Sequence, residues 1–200
     1  MSNSAEQVLS FSLNAPNAVT VARIVLAVPI AWLLCRGGTG EILLAGILLS
    51  IAWVTDGIDG FLARRLGQSS LAGALLDLVA DRVLMIPTLI LAILGGLWSR
   101  TATLMPFNPY PYAMIVIAGD VAVLAGVCSF VWKRRTHAID FPAPPKIARI
   151  TYSLQMLTLV VGVLRVGPAM LLAVLMYLTI IFTLLSFYFY LRKGAYVFIS

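Results

Sequence analysis

The sequence predicts an all-α polytopic membrane protein, six transmembrane helices in one bundle. Apolar residues make up 61% of the 200-residue chain, charged residues only 11%, and mean hydropathy is +1.00. That is too little charge for a surface facing water. A span needs about 20 mostly apolar residues, and such runs occur near 17–35, 42–62, 71–97, 112–132, 150–165 and 168–191. Too little sequence remains between them for a soluble domain, so residues 1–200 read as one transmembrane domain with an interfacial segment at 1–16.

Taken in order, the opening residues carry Glu6 and no positively charged start. They do not resemble a cleavable signal peptide, and secretion is not expected. The second run ends at Arg64 and Arg65, and Gly67, Gln68, Ser69 and Ser70 supply a turn before the third. Pro106, Pro109 and Pro111 break the connection "RTATLMPFNPYPY". Pro142, Pro144 and Pro145 break "WKRRTHAIDFPAPPKIAR". The single histidine, His137, lies in that second connection and is assigned no role. Cys35 and Cys128 sit in separate apolar runs without metal-type spacing, so packing is expected of them and neither a disulfide nor zinc.

Orientation follows from the tendency of Lys and Arg to stay on the cytoplasmic side. With both termini inside, Arg64, Arg65, Lys133, Arg134, Arg135, Lys146, Arg149, Arg192 and Lys193 are inner residues. Only Arg36, Arg100 and Arg165 are then outer. The net charge of +6 is explained by this topology and by anionic lipid headgroups. Nucleic acid is not an expected partner, because no aromatic platform is interleaved with the basic residues.

Against this background, "TDGIDGFLARRLGQSSLAGALLDLVAD" holds four of the eight acidic residues. Asp56 and Asp59 are i, i+3 on one helix, and Asp77 and Asp81 are i, i+4 on the next. Each pair therefore shares a helical face. Two adjacent antiparallel helices would gather all four at the inner interface, where mutual repulsion demands a cation. The plainer alternative pairs them with Arg64, Arg65 and Arg82 as helix-end anchors. Ionisable groups at this depth are costly and mark function. Oxygen donors without His or Cys favour Mg²⁺ or Mn²⁺, and four carboxylates can hold two such ions. A metal pair points to phosphoryl-group chemistry. Gly57, Gly60, Ala63, Gly73 and Ala74 leave room beside the carboxylates for a ligand, or serve ordinary small-residue helix packing.

The pattern Asp56-x2-Asp59-Gly60-x2-Ala63-Arg64-x8-Gly73-x3-Asp77-x3-Asp81 resembles the full signature of the CDP-alcohol phosphatidyltransferase family. The segment "NAPNAVTVARIVLAVP" is similar to the N-terminal segment of its phosphatidylglycerophosphate synthase and cardiolipin synthase branches. The resemblance implies a six-helix membrane enzyme that transfers a phosphatidyl group from CDP-diacylglycerol to an alcohol and releases CMP. It implies a two-metal site held by Asp56, Asp59, Asp77 and Asp81, with Asp81 also the base for the acceptor hydroxyl. Asn17, Thr20, Gly60, Arg64, Ser70 and Gly73 align with the CDP-diacylglycerol side, and Arg23 serves either lipid phosphate or the fold. Lys146 and Arg149 are candidate acceptor contacts, with glycerol 3-phosphate the first choice of acceptor and phosphatidylglycerol the alternative. A homodimer in a bacterial inner membrane or its equivalent, with the active site on the cytoplasmic side, is implied too. Gly119 departs from the family, whose members commonly have Arg before the acid that Asp120 matches. A divalent-cation transporter is the competing class. It needs polar positions across the whole membrane, whereas the helix halves away from the carboxylates read as almost wholly apolar.

Overall fold

The computed structural model describes residues 15–66, 71–98, 109–136 and 146–199, with side chains placed for 20–58, 76–98, 109–126, 128 and 147–192. Among them are six α-helices and no strand: α1 (Ala15–Arg36), α2 (Thr39–Leu66), α3 (Leu71–Leu94), α4 (Pro109–Thr136), α5 (Lys146–Leu164) and α6 (Ala169–Ile199). They correspond one to one with the six apolar runs. Thr39–Ile58, Pro109–Gly126, Ile147–Leu164 and Ala169–Arg192 are long and apolar enough to cross a membrane. Large apolar side chains point outward along these and the other helices, Val28, Leu94 and Met114 among the most exposed. Such an exterior is stable in lipid and not in water, which marks an integral membrane protein.

The ends of the helices follow local chemistry. Gly37 takes φ 70° just past α1, and its N–H donates to the Leu33 carbonyl at 3.3 Å. This left-handed cap is cheap only for a residue without a Cβ. At the end of α5, Arg165 adopts the same region at φ 54°, and the Val166 N–H reaches back to the Val161 carbonyl at 3.2 Å. That bond belongs to a Schellman closure made without glycine. Pro109 and Pro111, expected to break the outer connection, instead open α4. Proline is tolerated in a first turn, where its missing N–H has no intrahelical partner. Residues 99–108 and 137–145, with His137, lie outside the described residues.

The chain divides into two compact units, Met1–Gly95 and Gly96–Ser200. In the first, α1 makes the extensive packing against both α2 and α3. Its core includes Ile30, Leu49, Ala80, Leu84 and Leu89. In the second, α6 packs along both α4 and α5. Tyr112, Val116, Met156, Leu159 and Met176 fill that core. Trp98 is fully buried there beside Tyr112, with ring centroids 5.5 Å apart. A Cβ on Gly162 would run into the Trp98 indole ring, so the indole occupies space that only a glycine leaves open.

Candidate metal centre

The central feature of the first unit is a group of carboxylates around one arginine. Spacing along α2 and α3 turns Asp56, Asp77 and Asp81 inward, and one oxygen of each lies within 4.8 Å of the others. Arg23, from the middle of α1, reaches between them. Its Nη2 is 2.6 Å from Asp56 Oδ1. Its Nη1 is 3.1 Å from Asp77 Oδ1 and 2.5 Å from Asp81 Oδ1. The carboxylates do not meet simply because two neighbouring helices face each other. They converge across α1, the helix that both α2 and α3 pack against.

Access is graded across the cluster. The Asp77 side chain is 45% exposed, Asp56 19% and Asp81 9%, so a ligand arrives past Asp77 and Asp81 forms the floor. Arg82, a helix-end partner in the plainer alternative, approaches Asp81 Oδ2 at 3.9 Å. Arg23 is the closer cation by more than an ångström. Thr20 is buried one turn before Arg23 on the same face of α1.

An all-oxygen donor set of this compactness suits a hard divalent cation. Opposed oxygens around one Mg²⁺ are separated by about 4.2 Å, twice the ~2.1 Å bond length. Carboxylate oxygens within 4.8 Å of one another need only a small adjustment to meet that requirement.

The other predicted site residues fall differently. Asp59, Gly60 and Arg64 are on α2, Gly73 is on α3, Asn17 is on α1 and Lys146 opens α5, but their side chains lie outside those described. Ser70 lies outside the described residues altogether. Arg149 is exposed in the first turn of α5, in the second unit. The bridging position of Arg23 was not foreseen. An arginine in the middle of an apolar run was itself the signal, because a buried guanidinium requires anions.

The second unit holds polar groups of another kind. Thr158 and Thr179 hydroxyls are 2.9 Å apart between α5 and α6, and the Tyr112 phenol hydrogen-bonds to both. The Thr151 hydroxyl lies 3.0 Å from the Phe182 carbonyl, and the Gln155 amide donates to Thr183 at 3.5 Å. The Thr151, Thr158 and Thr179 hydroxyls each also have a carbonyl one turn back, at Ile147, Leu154 and Leu175, as an alternative acceptor for the single proton.

Residues 13–185 match the model of CDP-alcohol phosphatidyltransferase. Relatives include a CDP-diacylglycerol--glycerol-3-phosphate 3-phosphatidyltransferase of Pseudomonas fluorescens, 38% identical over 88 residues, covering 43% of this chain and 45% of the relative. Proteins of the same name from Escherichia coli strain K12 and Shigella flexneri serotype 5b are 38% identical over 78 residues, 39% of this chain and 43% of each relative. The chain thus spans less than half the length of the curated relatives it matches. The family is generally dependent on divalent metals, and the aspartate cluster described above suits that requirement. With the family model covering nearly the whole length from α1 into α6, the chain belongs to the CDP-alcohol phosphatidyltransferase family.

Proposed function

We propose that the protein transfers the phosphatidyl group of CDP-diacylglycerol to glycerol 3-phosphate, giving phosphatidylglycerophosphate and CMP. The observation that carries the reading is the convergence of Asp56, Asp77 and Asp81 on one point, in a chain whose relatives bear the name of that reaction. Asp56, Asp59, Asp77 and Asp81 would hold two Mg²⁺ or Mn²⁺ ions. When bound, such ions neutralise the pyrophosphate and the charge that develops on departing CMP.

The chain's own residues do the rest. Asn17, Thr20, Gly60, Arg64, Ser70 and Gly73 bind the donor, and Asp81 accepts the proton of the acceptor hydroxyl. That oxygen forms a bond to the lipid-side phosphorus as the bond from this phosphorus to the CMP oxygen breaks. Lys146 and Arg149 hold the acceptor phosphate by charge-assisted contacts. In this reading all six helices span the membrane as a single transferase domain, the site faces the cytoplasm, lipids surround the protein, and two copies pair as a homodimer.

The test is to incubate the purified protein with CDP-diacylglycerol and a panel of alcohols and to identify the lipid product by mass. Phosphatidylglycerophosphate is the expected product. Cardiolipin formed from phosphatidylglycerol, with glycerol 3-phosphate ignored, would move the assignment to the alternative acceptor. No lipid product from any alcohol would remove the transferase reading.

A further inference from the structure

Arg23 is an unusual neighbour for a metal centre. It is buried to 3% exposure and lends two nitrogens to three carboxylates that come from two other helices. It contacts Oδ1 of Asp56, Oδ1 of Asp77 and Oδ1 of Asp81, and oxygens of this same trio are those close enough to share one cation. A guanidinium cannot surrender its charge by losing a proton. With a divalent cation among the same oxygens it faces both repulsion and loss of hydrogen-bond acceptors. Without any cation, the three carboxylates would repel one another inside an apolar unit.

We propose that Arg23 stands in for the metal: its guanidinium holds Asp56, Asp77 and Asp81 together in the metal-free protein and withdraws from them when divalent cations bind. The inference rests on the metal reading of this cluster. Arg23 is then a positioning residue that keeps the site assembled, at the expense of metal affinity. Its long unbranched stem lets the head group move while the helix stays packed. The opposite view makes Arg23 a fixed strut whose removal loosens the site and weakens metal binding. The two views predict opposite signs.

The experiment measures Mn²⁺ binding to the full chain in detergent, by the resonance signal of free Mn²⁺ and by thermal unfolding with and without Mn²⁺. Wild type, Arg23→Gln and Arg23→Lys are compared. In Arg23→Gln the metal-free melting temperature falls, the rise on adding Mn²⁺ exceeds that of wild type, and Mn²⁺ binds about tenfold tighter, equivalent to ~1.4 kcal/mol. Arg23→Lys keeps the charge on a single nitrogen that cannot bridge in the same way, so its affinity falls between the two. If Arg23→Gln does not fold, Arg23→Lys against wild type carries the same sign. Wild type that binds Mn²⁺ while the variants bind it equally or more weakly would overturn the stand-in role and leave the metal site intact. Wild type that binds no Mn²⁺ would overturn the metal reading and this inference together.

Discussion

The two units of the protein bury polar groups in opposite ways. In the first, Arg23 and Asp81 are buried and Asp56 and Asp77 lean on the same guanidinium. In the second, Thr151, Gln155, Thr158, Thr179, Thr183 and Ser186 are buried, and Asp120 is the only charged group buried with them among the described residues. Neutral hydroxyls that bond to one another and to carbonyls a turn back are a cheap way to join helices in lipid, each contact worth ~0.6 kcal/mol. A buried ion cluster is a poor way to gain stability, because desolvation cancels much of the attraction. On the proposed function, the difference separates a region that serves ligand chemistry from one that serves helix association, and each substitution below would sharpen or break that separation.

The largest effect belongs to Asp77→Asn. Asp77 is the most exposed of the three carboxylates, and Arg23 keeps Asp56 and Asp81 in its absence. Folding should therefore survive while turnover falls at least about 100-fold, beyond the 10- to 100-fold loss typical of residues that merely support metal ligands. Activity per folded molecule, with melting temperature as the control, checks this. Normal turnover would place the chemistry elsewhere.

Arg149→Ala comes next, as the one functional role assigned to a described side chain of the second unit. Loss of a charge-assisted contact costs about 1.5–3 kcal/mol, or roughly 10- to 150-fold in the KM for glycerol 3-phosphate at ~1.4 kcal/mol per decade. The KM for CDP-diacylglycerol should stay nearly constant. Equal effects on both would make Arg149 structural.

Smaller effects are expected within the second unit's core. In Gly162→Ala the new methyl meets the buried Trp98 indole, and overpacking of this kind costs about 1–3 kcal/mol. The melting temperature should drop, while activity per folded molecule stays near wild type. Thr179→Val is the mildest change. It removes the 2.9 Å inter-helix hydrogen bond while Thr158 still partners the buried Tyr112 phenol, and should cost ~0.6 kcal/mol. A multi-kcal loss in unfolding titrations would show that the hydroxyl seam is more than helix glue.

Much of this was legible in the sequence because lipid demands long apolar runs. The run read at 17–35 is α1, Ala15–Arg36, and that at 150–165 is α5, Lys146–Leu164. The run read at 168–191 is part of α6, which continues to Ile199 because a helix does not have to stop where its membrane-compatible stretch does. The pairing of Asp77 with Asp81 was legible too, since i, i+4 fixes a face on any helix. What hydropathy could not convey was which helices touch, and so Arg23 on α1 was not matched to Asp56, Asp77 and Asp81. The hydroxyl seam left a fainter trace. Thr151, Gln155 and Thr158, and Thr179, Thr183 and Ser186, recur at the same helical spacing, but single threonines in apolar runs do not disturb a hydropathy average. Gly119 is clearer with structure in hand. A Cβ there would lie 2.7 Å from Thr183 Cγ2, so α4 and α6 approach closely at this glycine.

The most direct test of the central claim is the dependence of turnover on divalent cations. Purified protein is given CDP-diacylglycerol and glycerol 3-phosphate with Mg²⁺ or Mn²⁺, then with excess chelator, then with the cation restored, and phosphatidylglycerophosphate is measured at each stage. The carboxylate cluster predicts product with either ion, none in chelator, and recovery on restoration. Undiminished product in excess chelator would contradict the assignment of Asp56, Asp77 and Asp81 to a metal centre.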